Sequence, residues 1–180
     1  MATPSRHEAT STLREGQERL DELLARPSDE DLVKPATIGG GDWSAKDLVG
    51  HVASWEELAL SSLAEWRRGE MPGVERPGGP MAGSDRVDAF NARAVEVKRG
   101  LSLQEVAQRA RTTHRELIEA IDGLSEEEWL AKAPYRIPDG GERLLATLLG
   151  FLTAAPQRPF GHVFAHLPDL EAYVRSVGSP

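Results

Sequence analysis

Cysteine does not occur among the 180 residues. Disulfides, thiolate zinc sites and a cysteine nucleophile are therefore excluded, and any metal must be held by nitrogen and oxygen. Long apolar runs are also missing. None approaches the roughly 20 residues needed to span a bilayer. The opening residues, Met1 to Glu8, are polar and contain no apolar core of a signal peptide. The expectation is a soluble, cytoplasmic chain with no membrane partner. Positive charge is in deficit, with a formal net charge of −8, and aromatic residues make up only 6%. This balance lacks the basic stripe of a nucleic-acid binder and argues against such a partner. Strand-like alternation, internal repeats and long heptad runs do not occur. Gly39-Gly40-Gly41 lacks a following Lys-Ser/Thr and a preceding strand, so it is no phosphate loop. A Gly-x-Ser-x-Gly elbow is absent too, leaving serine hydrolase chemistry without its context.

What is present is helical punctuation. The length suits one domain, 1–180, with enough chain for a core that needs no staple. Leu13, Leu20, Leu23 and Leu24 follow a period near 3.6, which predicts a helix from about Thr12 to Ala25. Thr12 and Glu15 offer a capping box and Pro27 a stop. Ser28 opens a short turn. Ser44, with Asp47 three residues on, caps a helix running to about Arg68. Leu48, Val52, Trp55, Ala59, Leu63 and Trp66 form its apolar stripe. The Gly- and Pro-rich segment from Gly69 to Gly83 is read as irregular, bordering solvent or a pocket.

Ser84 to Lys98 reads as a modest helix broken by Gly100. Ser102 and Glu105 cap the clearest amphipathic run, from Val106 to Leu124. Ser125 caps a short turn before Trp129, and Pro134 to Gly141 is loop. Leu144 to Ala154 is apolar all round and should be buried. A last helix is expected from about Phe160 to Val177, with Pro168 kinking it or tightening its first segment. The pattern implies an all-α bundle of four long helices with additional short ones.

Five histidines occur, and three are placed suggestively. His162 and His166 are four apart, so they share one face of a helix. His51 lies at the edge of the second helix's stripe, where it could supply a third imidazole. Three neutral imidazoles leave coordination positions open for water or substrate. Each residue also has a plainer reading: His51 as a satisfied core histidine, and the pair as unrelated residues on an amphipathic helix. Asp47 could orient His51 from one turn away, but as partner of Ser44 it already serves the cap. Trp55 could line a pocket, or simply fill the core. Asn91 could polarise a substrate, cap a helix or make a buried hydrogen bond. Glu56 could act as a base, although a solvated helix face is the plainer expectation. His114 falls within the apolar pattern of its helix and is read as structural. His7 is expected to be disordered or exposed.

Asp42-Trp43-Ser44 followed by Asp47-Leu48-Val49-Gly50-His51-Val52 resembles the second-helix signature of DinB-like proteins. That superfamily includes YfiT-type hydrolases and mycothiol-dependent maleylpyruvate isomerases. Gly161-His162 with His166 is similar to the family's final-helix pair. Asp88-Ala89-Phe90-Asn91 and the glutamate-containing helix around it resemble the branch related to the colibactin self-protection protein. The resemblance covers most of the chain in helix order. It implies a four-helix bundle of up-down-down-up course, and a divalent metal, zinc or nickel most often, held by His51, His162 and His166. It also implies a low-molecular-weight thiol as cofactor, mycothiol or bacillithiol, for members that transfer thiols. Expected activities are hydrolysis of a small electrophile, or thiol S-transfer or isomerisation, on a small-molecule substrate. The alternative is a non-catalytic bundle that binds a small molecule or forms a homodimer, with a vestigial histidine site.

Overall fold

The structure, a computed structural model, describes residues 3–39, 41–80, 85–137, 140–155 and 158–178. It is 66% helical. The helices are α1 (Arg6–Leu24), α2 (Asp29–Leu32), α3 (Ala45–Arg67), α4 (Arg86–Arg99), α5 (Leu103–Asp122), α6 (Glu126–Trp129), α7 (Leu145–Leu152) and α8 (His162–Val177). Among the described residues, extended pairing is confined to isolated bridges such as Ile38 with Trp43. No described helix is long and apolar enough to cross a membrane.

Serine sets most helix starts. Ser5, Ser28, Ser44, Ser102 and Ser125 each accept from the backbone N–H three residues on, and the acid there returns the bond. The reciprocal pair satisfies two donors that a helix end would otherwise leave unpaired. The first helix corrects the expectation of a start at Thr12. It begins at Arg6, because Ser5 and Glu8 form a capping box seven residues earlier and no breaker intervenes. Thr12 and Glu15 are then interior helical residues.

α1, α8, α3 and α5 contact one another in a closed ring, α1 to α8, α8 to α3, α3 to α5 and α5 back to α1. This ring is the four-helix bundle. α4 and α7 lie against α3. α7 is buried as expected, except that Thr147 is exposed and Phe151 stands 52% exposed. Two clusters of buried apolar side chains fill the interior. One gathers Trp55, Ala59, Leu63, Leu117, Ile121, Trp129 and the α7 leucines. The other gathers Leu20, Leu48, Val52, Val163, Leu167 and Leu170. α3 feeds both, changing cluster between Val52 and Trp55.

Two further expectations are adjusted. The segment after Gly69 holds one 3-10 turn, Gly73–Glu75, despite its composition. It is otherwise largely solvent-bordering over residues 69–80, apart from buried Pro72. Residues 81–83, and the Ser84 start expected for α4, lie outside the described residues. α8 begins at His162 rather than Phe160, whose φ of 61° is left-handed. Phe160 is 2% exposed and stacks on Trp129 at 5.7 Å. A Cβ on Gly150 would stand only 3.2 Å from its ring, so the two residues approach closely. Burial of that ring outweighs the strain of its backbone. α8 then runs through Pro168 as one helix.

Candidate metal centre

The capping box of Ser44 fixes where α3 starts and so which way His51 points. Asp47 Oδ2 accepts from both the backbone N–H and the hydroxyl of Ser44, at 2.9 and 2.8 Å. Asp47 is thus the cap partner and not an acceptor for His51. His51 follows one turn later and is 2% exposed. His162 is the first residue of α8 and His166 lies one turn on. Gly161 precedes them; a Cβ there would meet Arg158 Cγ at 2.7 Å, so a side chain at the entry into α8 would have to displace that of Arg158.

The three rings come together. His162 Nε2 lies 3.1 Å from His51 Nε2 and 3.1 Å from His166 Nε2. Ring centroids are 4.9 to 5.0 Å apart, and every pair is edge-to-face. One ligand atom from each lies within 4.8 Å of the others. Burial, then the neighbouring rings and Lys98, push His51 down to about 2. Burial, then His166, pushes His162 down to about 3. Burial lowers His166 as well, against the opposing charge of Asp169. All three rings are therefore neutral at ordinary pH, the state that binds metals.

This donor set fits a cation. Each neutral ring has one N–H and one lone pair. His162 Nε2 faces two nitrogens at once but can make only one N–H···N bond, whichever tautomer it takes. A shared cation satisfies all three lone pairs together. Tetrahedral ligands about 2.1 Å from an ion stand about 3.4 Å from one another, close to the two 3.1 Å spacings at His162, with the whole set within 4.8 Å.

Aromatic walls flank the rings. Half-buried Trp43 lies 4.8 Å from His51 between ring centroids. Buried Trp55 meets His162 edge-on at 5.8 Å and Phe90 at 4.8 Å. Trp55 Nε1 donates to Asn91 Oδ1 at 3.0 Å, so Asn91 secures the wall by a partly buried hydrogen bond. Trp55 is at once wall and core.

Glu56 corrects the expectation of a solvated face. It is 4% exposed, and its Oε1 accepts from Nδ1 of His114 at 2.8 Å. The missed signal lay in register: Glu56 is four residues after Val52 and three before Ala59, on the apolar stripe itself. His114 occupies the same kind of position on α5, and α3 packs directly on α5. Two polar residues on facing apolar stripes each require the other. Lys98 was missed too. Its Nζ donates to Gly50 O, Ser54 Oγ and Glu57 Oε2 at 3.1, 2.6 and 2.9 Å, which fixes α4 against α3. His7 is exposed on α1.

A family model described as the DinB superfamily matches residues 12–167. No curated protein matches. Among solved structures, an uncharacterised protein from Escherichia coli UTI89 is 14% identical with a TM-score of 0.73, over 96% of this chain and 94% of that one. The colibactin self-resistance protein ClbS, in complex with a double-stranded DNA, is 18% identical with a TM-score of 0.74, over 95% and 98%. A mycothiol-dependent maleylpyruvate isomerase is 14% identical with a TM-score of 0.61, over 99% of this chain but 64% of its own. At these identities the likeness establishes the fold.

Proposed function

The chain belongs to the DinB superfamily, and from that premise we propose that it is a metal-dependent enzyme acting on a small molecule by hydrolysis or thiol transfer. The observation that carries this reading is the convergence of three neutral Nε2 atoms from two helices, around which no proton arrangement satisfies both 3.1 Å contacts. His51, His162 and His166 would hold zinc or nickel. Such an ion supplies Lewis-acid polarisation of a bound water, thiol or carbonyl. The protein's own part is to orient: α3 presents one imidazole and α8 two, all buried and neutral. Trp43 and Trp55 shield the rings from bulk water. Three protein ligands leave coordination room for a reacting group. With no cysteine in the chain, a reacting thiol must arrive as a small cofactor or substrate. The mycothiol dependence of one structural neighbour supports that route.

A second reading follows from another neighbour, ClbS with its double-stranded DNA. The net charge of −8 opposes approach to a phosphate backbone, so the proposal retains a small-molecule partner. Incubating the zinc-loaded protein with activated esters and epoxides, with and without an added thiol, tests the reaction class. Turnover by the loaded protein and none by H166A is expected. Equal background rates in both would favour a non-catalytic binding bundle.

A further inference from the structure

Resting on the metal reading above, we infer that Glu56, held by His114, is a positioning residue for the metal centre and accepts the outer N–H of His162 through a single water. Among the described residues lining the cavity beside His162, Glu56 is the carboxylate. Glu56 and His162 line the same internal cavity with Gly16, Val52 and Phe160, and its volume is about 10 Å³. That is room for about one water centre. His162 Nδ1 is buried and has no hydrogen-bond partner. If its Nε2 turns a lone pair toward an ion, the ring proton must sit on Nδ1, where it needs an acceptor. Glu56 supplies one. Its carboxylate can accept about four hydrogen bonds, and His114 Nδ1 takes one of them at 2.8 Å.

Stability alone gives little reason for the pair. Replacing both partners of a buried hydrogen bond with apolar groups of the same shape can be nearly neutral or stabilising. Here the pair lies near the ligand ring whose Nε2 stands 3.1 Å from the Nε2 of both other rings. His114 Nε2 is itself buried and unpartnered, so Glu56 is the partner its ring has. The relay runs from His114 on α5, through Glu56 on α3, to His162 on α8. It fixes the tautomer that exposes Nε2, holds the ring plane, and makes that nitrogen more basic. The Thr153 hydroxyl, also lining the cavity, is already engaged with Leu149 O at 2.8 Å.

The test uses the full-length, untagged, metal-free protein with zinc as the probe. Affinity is read by competition with a chromophoric chelator for the wild type, E56Q and H162A. Alongside, ¹⁵N-edited imidazole spectra of the zinc-loaded protein report which nitrogen of His162 carries the proton and how fast it exchanges. E56Q is expected to weaken zinc binding about 10- to 100-fold with an unchanged helical circular dichroism spectrum. The His162 Nδ1 proton should be protected in the wild type and lose that protection in E56Q. A merely structural Glu56 would leave affinity and exchange unmoved in the folded variant, and that result overturns the inference. If E56Q does not fold, the wild-type spectrum decides alone: a His162 proton on Nε2, or one on Nδ1 exchanging freely, overturns it. Absence of zinc binding by the wild type defeats the metal reading itself, an outcome distinct from equal affinities in wild type and E56Q.

Discussion

Each of the three imidazoles has its own backbone support, so its removal should be local. H51A, H162A and H166A are each expected to lower zinc affinity at least about 100-fold while the circular dichroism spectrum stays helical. Retained affinity in any one of them would remove that residue from the ligand set. Protonation gives a second handle. His51 is pushed down to about 2 and His162 to about 3, both by burial first, from an ordinary value of 6.5. A depressed histidine favours the folded state only while neutral. Its contribution is therefore full above about pH 6.5 and is lost as pH falls toward 3. Denaturant titrations of metal-free protein should show stability falling below pH 6.5 by roughly 1.4 kcal/mol per pH unit for each ring. H51A should flatten the slope; an unchanged slope would mean the rings are not held neutral. The His162–His166 pair was legible in the sequence because four-residue spacing fixes a helix face, and His51 joined it through the family resemblance of its segment. The Glu56–His114 pair was not, because a glutamate on a helix is ordinarily solvated. Its register on the α3 stripe, with α5 packed against it, is what marks it as buried.

At the scale of elements, the Ser-x-x-acid boxes made four of the helix starts readable. The fifth, at Ser5, was passed over because Thr12 with Glu15 mimics the same signal nearer the leucines. The two are separable by stability. S5A should cost about 1 kcal/mol, moving the melting temperature down by about 2–4 °C. T12A should change stability by no more than about 0.5 kcal/mol, as an interior substitution away from a cap. The reverse ranking would restore Thr12 as the helix start. The start of α8 was unreadable for a different reason. Phe160 is left-handed because its ring stacks on Trp129 and fits against Gly150, partners from elsewhere in the chain. Local pattern cannot report a conformation imposed by distant packing.

For the whole molecule, the centre lies where the two apolar clusters meet, and its ligands come from opposite parts of the chain. An ion bound there joins α3 to α8. Binding to the folded state alone should stabilise it by about 2.7 kcal/mol when free zinc is 100 times the dissociation constant. Calorimetry with and without zinc should accordingly show an upward shift in the wild type and none in H162A. The helical bundle itself was legible, since every strong sequence period is helical, and the order of the ring, α1, α8, α3 and α5, comes from the packing. Whether the convergent rings bind an ion is the claim on which the rest depends. Elemental analysis of untagged protein, equilibrated with zinc and nickel and freed of excess, measures it most directly. The account predicts one divalent ion per chain in the wild type and close to none in the H51A/H162A/H166A triple variant. Equal and negligible metal in both would contradict it.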